Sequence, residues 1–145
     1  VANAFEAVER GAPLAEALGE PLEQLYAEVM VLASAADGKV EQAEVDAMLE
    51  NLSGHPVFRE TSADLARGYI REALENLKTW GLPARLVTLA QHLTTSARRR
   101  AAYQLASRVV HAKPTPAPQE LQVLELLAAA FGLPDDEVAR LTMES

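Results

Sequence analysis

Apolar residues three and four positions apart, repeated in segment after segment, constrain this chain more than any other feature. Leu22, Leu25, Tyr26, Val29, Leu32, Ala33 and Ala36 form the first such stripe. That spacing collects side chains on one face of an α-helix, which turns once in about 3.6 residues. Val45, Met48, Leu49 and Leu52 repeat it, and so do Leu65, Ala66, Tyr69, Ile70, Ala73, Leu74 and Leu77. A fourth stripe holds Leu86, Leu89, Ala90 and Leu93, and a fifth Ala101, Ala102, Leu105, Ala106 and Val109. The sixth segment, from Glu120 to Phe131, is apolar nearly all round, which predicts the buried central helix. A short last helix follows Pro134, its acidic Asp135-Asp136-Glu137 suited to the positive end of a helix dipole. No segment alternates with period two for long enough to make a strand.

The punctuation between stripes agrees with helices. Gly11-Ala12-Pro13, Gly19-Glu20-Pro21, Asp37-Gly38, Ser53-Gly54-His55-Pro56, Gly81-Leu82-Pro83, Pro114 to Pro118 and Gly132-Leu133-Pro134 all read as breaks. Thr61 or Ser62 suits an N-cap, and Pro83 and Pro118 suit first helical positions. The 27 Ala and 21 Leu, against 12 Val and one Ile, favour helix because β-branched side chains lose rotamer freedom there. The expectation is an all-α bundle of about seven helices joined mostly by short loops. It forms a single domain over residues 1–145, with residues 1–20 as lead-in and 21–145 as core.

With no cysteine, disulfide scaffolds, thiolate metal sites and Cys nucleophiles are excluded. No apolar run approaches the roughly 18 residues that span a bilayer, and no stretch reads as a signal peptide. A cytoplasmic protein without an integral membrane segment is expected. The net charge of −8 is uneven: residues 1–50 carry 11 acids and 2 bases, 51–113 carry 4 and 10, and 114–145 carry 6 and 1. An acidic chain is a poor general partner for nucleic acid, whose phosphates dominate affinity. Neither a nucleophile elbow nor a Gly-rich phosphate loop is present, so an enzyme is not expected.

Two stretches align at an offset of 76: Ala36 to Val45, and Ala112 to Leu121. Each follows a helix ending in small apolar residues and leads into another helix, with Glu44 matching Glu120. Asp37-Gly38 is replaced by Lys113-Pro114 in the second. The echo suggests two related helix-loop-helix units. The run Val31-Leu32-Ala33-Ser34-Ala35-Ala36-Asp37-Gly38-Lys39-Val40, then Glu44, and the closing Phe131-Gly132-Leu133-Pro134 turn resemble the TerB-like tellurite-resistance family over about residues 22–141. A similar module occurs in the N-terminal region of some J-domain co-chaperones, so fold membership does not fix function. The resemblance implies a pseudo-symmetric bundle with a paired acidic surface of the metal-binding kind. Lys113-Pro114 departs from the family's second Asp-Gly, exchanging a carboxylate for an ammonium.

Asp37, Glu41, Glu44 and Glu120 are the candidate metal ligands. As a hard-cation site they would hold calcium, magnesium or manganese through oxygen. The structural alternative is that Asp37-Gly38 ends a helix while Glu44 and Glu120, third in theirs, complement exposed N–H groups. The Asp-x-Asp-x-Asp-Gly ladder of an EF-hand is missing. His55, His92 and His111 have no local zinc spacing; His111 suits a helix C-terminus. Arg98, Arg99 and Arg100 read as a solvated helix face, or else as a docking face for an acidic partner or phosphate. Trp80 reads as a cover for the core edge, or as an exposed partner anchor.

These readings converge on a small acidic stress-response module of the tellurite-resistance type, sensing or binding a divalent metal. The alternative is a metal-free adaptor for a protein partner, a monomer or weak homodimer. A carboxylate-based enzyme is a third reading, for which caps are the simpler account of the acids. Without cysteine the chain has no thiol to reduce tellurium.

Overall fold

Within the described residues each apolar stripe lies on a helix, with Leu93 of the fourth falling at the residue that ends its helix. The computed structural model describes residues 21–35 and 40–144, and among them seven α-helices and no strand. These are α1 (Leu22–Ser34), α2 (Gln42–Ser53), α3 (Ala63–Trp80), α4 (Leu82–His92), α5 (Ser96–His111), α6 (Pro118–Phe131) and α7 (Asp135–Met143), with a 3-10 turn at Pro56–Phe58.

Local chemistry sets the ends. Ser62 and Thr95 cap α3 and α5, their side-chain oxygens accepting the N–H groups of Leu65 and Arg98 at 3.1 and 3.2 Å. Pro118 opens α6 at the position where a missing N–H costs nothing. Gly81, at φ 83° and ψ 163°, ends α3 and starts α4 in one residue. α1 ends at Ser34; Ala36, Asp37, Gly38 and Lys39 lie outside the described residues, as do 1–20 and Ser145.

The central helix is α1, not α6 as the all-round apolar character of the latter predicts. Every α1 residue from Gln24 to Ser34 is buried, and α1 packs most extensively against α5 and α3 while also touching α2, α4 and α6. α6 buries one face through Val123, Leu124, Leu127, Ala128 and Phe131 and leaves Leu121 and Leu126 at 40% and 42% exposure. What hides the centrality of α1 in the sequence is its polar content. Glu28 is 1% exposed because Arg85 of α4 reaches it with two parallel hydrogen bonds, Nε to Oε2 at 2.5 Å and Nη2 to Oε1 at 2.7 Å.

The packing pairs helices across the two halves. α1 lies on α5, α2 also contacts α5, and α6 contacts both α1 and α5. The helices that lead into the two loops are therefore neighbours, and the starts of the helices that leave them meet at one end of the bundle.

Candidate functional site

Glu44 and Glu120 are each the third residue of their helix, α2 and α6. At that position a carboxylate faces the unpaired N–H groups of the first turn and the positive end of the dipole. Glu120 uses this directly: its Oε1 accepts the Ala117 N–H at 2.9 Å, half of a capping box, since Ala117 has no side-chain acceptor to return. Its other oxygen, Oε2, accepts from the Lys113 ammonium at 2.9 Å. The side chain is fully buried, with both oxygens engaged.

Glu44 turns toward the same ammonium. Its Oε2 lies 3.8 Å from Lys113 Nζ and accepts from Ser34 Oγ, on the last turn of α1, at 3.4 Å. Of the four acids expected to meet, Glu44 and Glu120 come to a shared Lys113. Glu41, at the residue before α2, is exposed; its carbonyl accepts the Glu44 and Val45 N–H groups, and its carboxylate makes no hydrogen bond or ion pair with the described residues. Asp37 lies outside them. Among the described residues no three His, Asp or Glu side chains are grouped to hold a metal ion.

A hard divalent cation takes six or more oxygens at about 2.0–2.6 Å. Between Glu44 and Glu120 it would have to displace Lys113 and draw Glu120 off its cap. With Lys113 in place, the described residues do not fit a divalent ion.

The basic residues divide by task. Arg98 is exposed, as a solvated face requires. Arg99 is not part of that face. Its guanidinium donates to the carbonyls of Ala90, Leu93 and Phe131 at 2.6, 2.7 and 3.3 Å, closing the C-terminal ends of α4 and α6. Arg100 pairs with Glu137 of α7 at 2.8 Å. Three adjacent arginines look alike in sequence. What separates Arg99 is that the residues three, four and seven places on, Ala102, Tyr103 and Ala106, are all buried, which sets it on the inward edge of α5. Arg85 pairing with Glu28 was equally unread, since nothing local marks either residue.

His111 ends α5 and turns back on it, its Nδ1 2.9 Å from the Ser107 carbonyl oxygen. Trp80 does not cover the core: it is 64% exposed at the end of α3. No helix of the described residues is long and apolar enough to cross a membrane.

Comparison with curated proteins and with solved structures gives no match. The family model described as tellurite resistance protein TerB matches residues 23–143, from the first turn of α1 to the last residue of α7, and the chain belongs to that family.

Proposed function

We propose that this chain is a tellurite-resistance-type interaction module that works without a bound divalent ion, its paired acids being neutralised by its own Lys113. The observation that carries the reading is the position of the ammonium, 2.9 Å from Glu120 and 3.8 Å from Glu44. The expected calcium, magnesium or manganese would compete for that position with a cation tethered to the chain. Module action through a protein partner then falls to surfaces other than the acidic pair.

The test is a titration of the purified protein with calcium, magnesium and manganese to millimolar concentration, following melting temperature and heat. An ion held at a hundredfold above its dissociation constant would add about 2.7 kcal/mol, readily seen as a higher melting temperature. No shift is expected for the wild type. Lys113→Ala leaves Glu120 buried and unpaired and should cost about 1–3 kcal/mol, a figure reduced from that of a fully buried pair because Lys113 is one-third exposed. Calcium or magnesium should recover part of that loss in the variant alone. A wild-type melting temperature that rises with any of the three ions would overturn the reading.

A further inference from the structure

The geometry points to the groove between α6 and α7 as the docking site of a basic amphipathic helix from a protein partner, an inference that rests on the interaction-module reading above. α6 and α7 follow one another in the chain, yet α7 packs chiefly on α5 and makes little contact with α6. The two helices splay and leave a groove of about 430 Å³ between them.

Its walls are apolar and helically spaced. Leu121, Leu124 and Ala128 line the α6 side, Val138 the α7 side, and Leu133 in the intervening turn closes one end. Leu121 is 40% exposed, a large aliphatic side chain with one side against the bundle and the other uncovered. From Leu121 to Ala129 the α6 wall runs eight residues, about 12 Å, which matches a little over two turns of a docked helix. An apolar groove walled by helices receives a partner helix through residues spaced i, i+3, i+4 and i+7. The described residues have no sheet edge to accept a strand instead.

Charge identifies the occupant. The acids lining the groove are Glu125 on α6 and Asp135 at the start of α7, and no Lys or Arg lines it. Among the described residues neither carboxylate has an ion pair or hydrogen bond, unlike Glu28, Glu44, Glu120 and Glu137, which are all engaged. Apolar walls with two unneutralised carboxylates, in a groove to whose lining α5 adds Tyr103 and His111, favour apolar anchors flanked by Lys or Arg. A second copy of this chain, with a net charge of −8, would bring the wrong sign.

The probe is a synthetic helix-forming peptide of about 16 residues with Leu at i, i+3, i+4 and i+7 and Lys at the flanking positions. A version with Glu for Lys and a scrambled version serve as controls. The Lys peptide should bind the full chain at micromolar concentration and about tenfold or more tighter than either control, weakening as salt is added. Backbone NMR shifts should gather on α6 and α7. Leu121→Ser and Glu125→Lys, both at exposed positions and checked by their melting curves, should each weaken binding about fivefold or more. Equal binding of the Lys and Glu peptides would overturn the proposal, as would shifts centred elsewhere. A concentration-dependent dimer that Leu121→Ser dissolves would also overturn it, by assigning the groove to self-association. A metal-induced rise in wild-type melting temperature would sink the metal-independent reading alone, leaving the peptide result to judge the groove.

Discussion

The guanidinium of Arg99 reaches from α5 to the last carbonyls of α4 and α6, helix ends that otherwise leave acceptors unsatisfied. A planar fork with five N–H donors suits three carbonyls that converge from two directions, and an ammonium does not reproduce it. Arg99→Ala is therefore expected to cost about 2–3 kcal/mol in urea unfolding, and Arg99→Lys to recover less than half of that loss. Arg98→Ala, one residue away and exposed, should fall within about 0.5 kcal/mol of wild type. Equal costs for Arg98 and Arg99 would refute the assignment. The same contrast shows where sequence reading stops at this scale. A run of arginines carries its charge in plain view, but which of them meets carbonyls depends on the approach of α4 and α6, residues 90 to 131, which no local spacing encodes. Glu44 and Glu120 were legible because both are third in their helices and recur at one offset. Lys113 was legible as a departure in sign. Its place between the two acids depends on α1 packing against α5.

Two glycines at helix ends and one inside a helix have three different relations to the backbone, and these separate by substitution with Ala. Gly81 joins α3 to α4 at φ 83° and ψ 163°, a conformation essentially confined to glycine. Gly132 follows α6 in the left-handed region at φ 69° and ψ 31°. There the Leu133 N–H reaches the Ala128 carbonyl at 2.9 Å and the Gly132 N–H the Ala129 carbonyl at 3.1 Å, the paired bonds of a Schellman ending. Gly68 lies inside α3, and a Cβ there would meet nothing within 4 Å. Gly81→Ala should cost about 2–3 kcal/mol and Gly132→Ala about 1. Gly68→Ala should stabilise by about 0.5–1 kcal/mol through helix propensity. Melting or urea curves that fail to place them in this order would contradict the backbone assignment. Element existence was readable throughout because helical spacing and helix-ending residues are local properties. Centrality was not. α1 carries Gln24, Glu28 and Ser34 on sides that a surface helix would turn to water, and burying Glu28 depends on Arg85, 57 residues away. α6 looks buried all round because it is rich in Leu, yet Leu121 and Leu126 remain uncovered.

Across the whole molecule, the acidic, basic, acidic order of the chain is largely an internal arrangement. Arg85 of the basic middle pairs with Glu28 of the first acidic flank, Arg100 with Glu137 of the last, and Lys113 with Glu44 and Glu120, one from each. A pH response of global stability near neutrality is expected from His55, which ties the 3-10 turn to the central helix. Its Nδ1 accepts the Val57 N–H at 3.1 Å, and its ring meets Tyr26 and Phe58 edge-on at centroid distances of 5.8 and 6.3 Å. Burial pushes the His55 pKa below its ordinary 6.5, and the Arg108 guanidinium adds to the effect. The folded state therefore favours the neutral ring, whose Nδ1 can accept, over the imidazolium, which can only donate. In the unfolded chain His55 takes up its proton as pH falls through 6.5, while in the folded chain it resists until lower pH. Between those two points the unfolded state binds more protons, so stability is complete above 6.5 and declines as pH falls through that window. One proton limits the slope to about 1.4 kcal/mol per pH unit. His55→Asn, which keeps an acceptor before the 3-10 turn but does not titrate, should start less stable at about pH 7.5 and lose less on moving to about pH 5.5. Urea unfolding of both proteins across that range measures the difference, and a variant whose stability falls as steeply as the wild type would assign the pH response to another group.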